Sequence, residues 1–132
     1  MIQAEGDLEG FLTRLERRFE RLEDGTYVVS VGPGRPLVAL KLAPPVLVVR
    51  VEIGNAPADP ERSRALFRRL LELNAVELLH AAYGLEGDRI VLGAALELAT
   101  ADPGELEAVL GDVDLALAEQ VPVLHELVRH GG

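Results

Sequence analysis

The side chains best suited to chemistry in this chain are three histidines, two serines and an excess of carboxylates. His80 lies in an apolar run, and His125 and His130 lie five residues apart near the C-terminus. Two histidines on a helix bind one metal ion when three or four residues separate them, because that spacing places both rings on one face. A spacing of five turns the rings apart, and the chain has no cysteine to complete a site. The sequence therefore predicts no metal site, and His80 is interpreted as a hydrogen-bonded or edge-exposed strand residue.

The serines and carboxylates form no catalytic pattern. Ser30 and Ser63 both lie outside a Gly-x-Ser-x-Gly turn, the signature of one class of hydrolase nucleophile. Carboxylate pairs such as Asp112 and Asp114 are two residues apart on a predicted helix, so they point in different directions. No acid–base pair emerges, and we predict that the protein is not an enzyme and uses no cofactor.

Residues 32–36, with the sequence GPGRP, are a candidate anion-binding loop. A phosphate-binding loop needs several free backbone N–H groups, usually at the start of a helix. Two prolines remove donors here, and the Gly-Lys-Ser/Thr ending of a P-loop is missing. A plain hairpin turn is the favoured interpretation.

The charge of the chain is negative and unevenly distributed. The formal net charge is −9, with 10 acidic and 9 basic residues in positions 1–66 but 12 acidic and 4 basic residues in positions 67–132. An acidic surface repels nucleic-acid phosphates and anionic lipids, so we predict neither nucleic acid nor membrane as a partner. The surplus either keeps a small protein soluble or attracts a basic segment of a partner, and composition leaves both open.

The length and hydropathy indicate a single small domain. A chain of 132 residues, 48% of them hydrophobic, suits one domain with one core over residues 1–132. No run approaches the roughly 20 apolar residues of a membrane helix. The N-terminus lacks the basic-then-apolar pattern of a secretory signal, so a cytoplasmic protein is expected.

In the first half, apolar residues at intervals of three and four predict a helix over residues 7–22, with Asp7 as its N-cap and a turn at residues 24–25. Short runs rich in β-branched residues then predict strands at residues 27–31, 37–42 and 46–53. Their short connections favour antiparallel pairing.

In the second half, Asp59 and Pro60 begin a helix as N-cap and first helical residue, and the pair Leu73-Asn74 is predicted to stop it. A hairpin of residues 78–85 and 89–98 follows, with Gly87 supplying the positive φ of its turn. A helix that continues through residue 85 competes with this prediction, since residues 75–82 contain no helix breaker.

The last helix begins at Asp102, with Glu105 three residues on as the second half of a capping box. Pro122 should kink or divide this helix, because it removes a hydrogen bond and clashes with the preceding turn. The predicted order is α-β-β-β-α-β-β-α, an α+β fold with an antiparallel five-stranded sheet packed by helices.

The strand over residues 89–98 carries apolar side chains on both faces, including Val91, Leu92 and Leu96, which we predict as an interaction surface. Either a second subunit covers one face, which favours a homodimer, or the last helix covers it within one chain.

Two short motifs resemble a known family. They are LLELN at residues 70–74 and HAAYGLEGDRI at residues 80–90, in which Leu73, Asn74, Gly84 and Gly87 are the structural motif residues. With the order of elements, they resemble the type III secretion chaperone-like superfamily, particularly its YbjN-like and Tir chaperone (CesT-like) branches.

The resemblance implies a small acidic protein, often a homodimer, that binds an extended segment of a client protein and has no catalytic residues. A partner chain would be held by strand addition or in pockets for apolar side chains. A chaperone-like or regulatory protein-binding module is therefore the leading hypothesis. A sensory domain that binds a small ligand between the helices and the sheet is the alternative.

Overall fold

The computed structural model describes residues 1–31 and 34–130, without the side chains of residues 128–130. The elements, in chain order, are α1 (Glu5–Arg14), β1 (Phe19–Arg21), β2 (Tyr27–Val29), β3 (Val38–Ala43), β4 (Val46–Asn55), α2 (Pro60–Val76), β5 (Ala82–Glu86), β6 (Arg89–Glu97), α3 (Pro103–Leu115), a π-helical turn (Ala116–Gln120) and α4 (Val121–His130).

The strands form one antiparallel sheet in the order β1-β2-β3-β4-β6-β5. The predicted α+β class and the antiparallel sheet are confirmed. The sheet has six strands rather than the predicted five, because β1 lies where the apolar periodicity predicts helix. The two strands at the edges are therefore β1, with three residues, and β5, with five.

The first helix is shorter than predicted because its C-terminus is closed by a Schellman motif. The amide of Glu16 donates to the carbonyl of Thr13 at 3.0 Å, and the amide of Arg17 donates to the carbonyl of Leu12 at 2.9 Å. The motif needs one left-handed residue, and Glu16 supplies it with a φ of 58°. Glycine usually occupies this position, so the sequence contains no visible stop signal.

Strand β1 is fixed by contacts that lie far away in the sequence. Phe19 pairs with Val29, and its ring packs edge to face against Tyr27 with 5.8 Å between centroids. The guanidinium of Arg21 contacts the carboxylate of Glu5 at 2.7 Å. These contacts hold the segment as a strand although its apolar spacing continues that of the helix.

The predicted helix starts at Asp59 and Asp102 are confirmed. The Asp59 carboxylate accepts from the amide of Arg62 at 3.1 Å, and that of Asp102 accepts from the amide of Glu105 at 2.8 Å. Asp7 also contributes to a helix start, but from the first turn. Its carboxylate accepts from the backbone amides of residues 3 and 4 at 2.8 and 3.1 Å, so α1 begins at Glu5.

The helices cover one face of the sheet. Leu47, Val49 and Val51 of β4 and Ile90 and Leu92 of β6 point to this face and are at most 4% exposed. The helices contribute buried side chains that include Leu8, Leu12, Leu66, Leu70, Leu73, Leu106, Leu110 and Val113. Alternation along each strand places the remaining side chains on the other face.

That other face of the sheet is called the open face, because its residues remain half-buried or exposed. Its small and apolar residues are Val28, Ala39, Val48, Val91, Gly93 and Ala95. The same face carries an ion pair between Arg89 and Glu52 at 2.7 Å and a second between Arg50 and Glu86.

The predicted stop of the second helix at Leu73-Asn74 is wrong, because α2 continues to Val76. The competing prediction of a helix through residue 85 is also wrong. Residues 78–81 form a loop, so β5 starts at Ala82 and His80 is an exposed loop residue. The hairpin turn is confirmed, with Gly87 at a φ of 60°.

The last helix does not break at Pro122, which lies in the first turn of α4. Its regular winding is instead interrupted just before Pro122 by the π-helical turn Ala116–Gln120, in which the amide of Val121 donates to the carbonyl of Ala116, five residues back. The apolar stripe Val113, Leu117 and Val121 advances in steps of four, more than the 3.6 residues of a regular turn. The wider turn therefore keeps the stripe on the core.

Among the described residues, none of the helices combines the length and the apolar character that crossing a bilayer requires. Gly32 and Pro33 of the predicted hairpin turn lie outside the described residues, and β2 and β3 on either side of them are antiparallel neighbours.

Candidate functional site

The predicted motif residue Asn74 joins helix α2 to the edge strand β5. Its side-chain nitrogen donates to the carbonyl oxygen of Tyr83 at 3.1 Å, and its side-chain oxygen accepts from the amide of Tyr83 at 2.7 Å. The side-chain amide thus takes the place that a backbone amide of a neighbouring strand would have. Leu73, beside it, is 3% exposed and packs in the core.

Asp112 of α3 fixes the loop that leads into β5. One carboxylate oxygen accepts from three consecutive backbone amides, those of Leu79 at 3.0 Å, His80 at 2.5 Å and Ala81 at 3.0 Å. Asp114, two residues on, instead forms an ion pair with Arg17 at 2.9 Å. The two carboxylates point in different directions, as predicted.

Together these bonds close most of the β5 edge. Tyr83 uses both of its outward backbone groups on Asn74, and the amide of Ala81 is bonded to Asp112. Outward groups alternate along a strand, so Leu85 carries the next pair. Among the described residues, no partner contacts the outward backbone groups of Leu85.

The β1 edge has the opposite character. The amide of Ser30 donates to the carbonyl of Arg18, and that of Leu22 donates to the carbonyl of Thr26. Backbone groups along a strand point alternately towards and away from the neighbouring strand, so those of Arg18, Glu20 and Leu22 face β2. The backbone N–H and C=O groups of Phe19 and Arg21 point away from β2. In the described part of the chain nothing bonds to these four groups.

The predicted interaction residues Val91, Leu92 and Leu96 do not form one surface. Val91 lies on the open face, opposite Gly84 of β5. Leu92 is completely buried under the helices, and Leu96 packs partly buried against the core on the same side. The prediction of Leu92 as a surface residue is therefore wrong, because the helices of the same chain cover its face; Leu96, partly exposed at the end of that face, stays a prediction.

A groove of about 330 Å³ runs between α2 and the β5 edge. It is lined by Phe67, Leu70, Leu71, Asn74, Tyr83, Gly84 and Leu85, so two of the four predicted motif residues, Asn74 and Gly84, contribute to it. Leu71 is 68% and Leu85 50% exposed, which makes the rim of the groove apolar.

A second cleft, of about 350 Å³, lies where α4 crosses the end of β4 and β6. Its lining is Ile53, Gly54, Asn55, Leu66, Ile90, Leu124 and His125. His125 and Asn55 are its polar members. The side chain of His130 lies outside the described residues, and no three metal-binding side chains cluster in the part of the chain that is described.

Both tyrosines are buried and hold their protons. Burial, with a 2.5 Å hydrogen bond to the carboxylate of Glu9, raises the pKa of Tyr27 to about 12. Burial also raises the pKa of Tyr83, whose hydroxyl donates to Gln120 at 2.7 Å.

Sequence reasoning missed the role of Asp112 and the existence of the β1 edge. Asp112 acts across more than 30 residues, and no local pattern marks that contact. For β1, the only sequence signal is the turn at Asp24 and Gly25, which closes a β1–β2 hairpin and not a helix.

Several solved protein structures have a similar fold. A chain of the heterodimeric ExoU–SpcU complex from the type III secretion system of Pseudomonas aeruginosa has a TM-score of 0.69 at 18% identity, covering 87% of this chain and 95% of that one. The Yersinia pestis type III secretion chaperone SycH, in complex with a stable fragment of YscM2, has a TM-score of 0.57 at 22% identity, with coverages of 83% and 95%.

YbjN from E. coli has a TM-score of 0.64 at 15% identity, covering 99% of this chain and 95% of its own. At these identities the likeness concerns the fold. No curated protein is significantly similar in sequence. The family model CesT_Tir_1 matches residues 1–130, nearly the whole chain. Because this match spans residues 1–130, the chain belongs to the CesT_Tir_1 family.

Proposed function

We propose that residues 1–132 form one non-enzymatic, chaperone-like domain that acts in the cytoplasm and binds an extended segment of a client protein. The segment would add to the sheet as a strand beside β1. The observation that carries this proposal is the set of four unpaired backbone groups on Phe19 and Arg21. Such groups bind an extended chain through main-chain hydrogen bonds, and neighbouring pockets then select its side chains.

The comparisons support a protein client. The ExoU–SpcU and SycH structures are complexes of type III secretion proteins with a protein partner, and the HopA1–SchA structure is a chaperone–effector complex. The acidic character of the chain agrees with a binding role.

A matched pair of proline variants tests the site of binding. Proline removes an outward N–H and is tolerated on edge strands. Arg21→Pro removes such a group from β1, and Leu85→Pro removes one from β5. In pull-downs from the native cytoplasm, we expect the wild type and Leu85→Pro to retain the same client and Arg21→Pro to lose it.

Arg21→Ala controls for the ion pair with Glu5, which the proline variant also removes. Thermal melting of each variant establishes that it is folded. Retention of the client by folded Arg21→Pro would rule out strand addition at β1.

We also propose that two copies associate through the α2/β5 groove. Its exposed leucines, Leu71 and Leu85, and the free backbone groups of Leu85 are the features that a two-fold related copy would cover. Light scattering after gel filtration is expected to give a dimer for the wild type and a monomer for Leu71→Glu. Leu37→Glu, at a residue 56% exposed before β3, is the matched control and should remain a dimer.

The second candidate function is that of a small-ligand sensor. The cleft at His125 supports it, because its floor is apolar and two polar side chains stand at its rim. A metabolite panel in a thermal-shift assay tests it. A ligand that stabilises the wild type but not His125→Ala would favour the sensor, and a panel without a shift would count against it.

A further inference from the structure

A third cleft lies at the N-terminal end of β1 and is rich in arginine. It has a volume of about 750 Å³ and is lined by Leu15, Glu16, Arg17, Arg18, Ser30, Val31, Arg35 and Asp114. We call it the arginine cleft. It is formed where α1 ends, β1 begins and β2 ends, with α3 behind it, so it adjoins the edge proposed above for client binding.

Two of its three arginines have no ion-pair partner among the described side chains, and Glu16 is the single unpaired carboxylate of its lining. Arg17 is bound to Asp114 through contacts of 2.9 and 3.3 Å and is only 20% exposed. Arg18 and Arg35 are exposed and have no ion pair with any side chain that the structure describes. Two free guanidinium groups at one cleft are notable in a chain with a net charge of −9.

The other end of β1 carries carboxylates. Glu23 and Asp24 are exposed in the turn to β2; Lys41 lies 4.0 Å from the Asp24 carboxylate, whereas Glu23 has no ion pair with any side chain that the structure describes. Hydrogen bonds from Thr26 hold the pKa of the Asp24 carboxyl below its usual range, so it is ionised at neutral pH. The edge of β1 therefore runs from a basic end at Arg18 to an acidic end at Glu23 and Asp24.

This difference in charge between the two ends of β1 bears on which residues can precede and follow a strand that a client adds there. Every strand pair in the sheet is antiparallel, and an antiparallel segment beside β1 would have its C-terminal end at Phe19. We propose that the arginine cleft binds acidic residues that follow the β1-pairing strand of the client. Guanidinium groups suit this role because they bind carboxylates through two parallel hydrogen bonds.

This inference rests on the proposed strand addition, and a set of labelled peptides separates the two. Three fluorescein-labelled peptides share one alternating Val-Thr strand. The first carries Glu-Glu-Asp after the strand, the second carries Glu-Glu-Asp before it, and the third carries Gln-Gln-Asn after it. Their dissociation constants are measured by fluorescence anisotropy on the whole chain, at low and at high ionic strength.

We expect the first peptide to bind about tenfold more tightly than the third at low ionic strength, with the advantage reduced at high ionic strength. The second should bind no better than the third, since its acids meet Glu23 and Asp24. In the double variant Arg18→Gln/Arg35→Gln the first peptide should lose its advantage while the third binds unchanged. Arg64→Gln, at an exposed arginine of α2, is the matched charge control.

From the net charge alone, the first peptide would bind more weakly than the third, because an acidic chain repels both acidic peptides. Equal binding of the first and third peptides, or an advantage that survives the double variant, would overturn the proposed cleft while leaving strand addition intact. Failure of all three peptides to bind would instead refute strand addition at β1, and this inference with it.

Discussion

The two edge strands of the sheet differ in how the rest of the chain treats their backbone. At β5, Asn74 occupies both outward groups of Tyr83, and Asp112 holds the loop that leads into the strand. At β1, the outward groups of Phe19 and Arg21 are unpaired among the described residues. An unpaired edge invites association with another chain. The comparison suggests that the longer edge is protected against unwanted pairing and the three-residue edge is left for a chosen one.

Replacing Asn74 should have the largest effect on this contrast. Asn74→Ala leaves the N–H and C=O of Tyr83 without a partner, and we expect the free energy of unfolding to fall by about 2–3 kcal/mol. Urea unfolding measures the change. Asn55→Ala, at the only other asparagine, is exposed and should cost less than about 0.5 kcal/mol. Equal losses in the two variants would mean that the Asn74 bonds do not hold the edge.

Replacing Asp112 should have the next largest effect. Asp112→Ala removes the acceptor of three amides, and we expect a loss of about 2 kcal/mol. Asp114→Ala, two residues away, breaks a partly exposed ion pair and should cost about 1 kcal/mol or less. Hydrogen exchange at residues 79–81 should rise in the first variant only; unchanged exchange there would contradict a fixed loop.

Alkaline pH should weaken the β1 side through Tyr27. Its pKa of about 12 in the folded chain exceeds the value of about 10 for an unfolded tyrosine. The neutral phenol therefore contributes stability that is complete below pH 10 and is lost as the pH rises towards 12, with a slope of at most about 1.4 kcal/mol per pH unit.

Urea unfolding at pH 9, 10 and 11 measures this loss, with absorbance at 295 nm reporting tyrosine ionisation. Tyr27→Phe leaves Tyr83 as the sole tyrosine and should reduce the slope above pH 10. An identical slope in Tyr27→Phe would assign the alkaline loss to other groups.

The smallest expected effect is a gain in the free energy of unfolding. Glu16 holds a φ of 58° at the end of α1, which glycine adopts without the strain of a side chain. We expect Glu16→Gly to stabilise the chain by about 0.5–1 kcal/mol in urea unfolding. Gly25, already at a φ of 87° in the turn between β1 and β2, shows the residue type that such a position normally has. A destabilised Glu16→Gly would show that the Glu16 side chain makes a compensating contact.

The sequence predicts well where local chemistry decides the structure. The helix starts at Asp59 and Asp102 and the turn at Gly87 depend on neighbouring residues only, and all three are confirmed. It fails where distant contacts decide. Phe19 continues a helical spacing, yet its partners Val29 and Tyr27 make it a strand residue.

The candidate site was harder to predict than the fold. Asn74 was recognisable as part of a motif, but its interpretation as a helix stop is wrong because its true partner, Tyr83, lies on another element. Leu92 and Val91 are both apolar residues of the same strand, and because they are consecutive they lie on opposite faces of the sheet. A period of two does not reveal which face the helices cover.

The π-helical turn before Pro122 has a consequence for variation among relatives of this chain. It contains one residue more than regular helical turns need between Val113 and Val121, and Ala118 and Glu119 within it are exposed. Loss of one residue here would remove the bulge and leave the helices on both sides in phase with the core. Among relatives, insertions and deletions between α3 and α4 are therefore expected to concentrate at this turn, because the chain length can change there without moving a buried side chain.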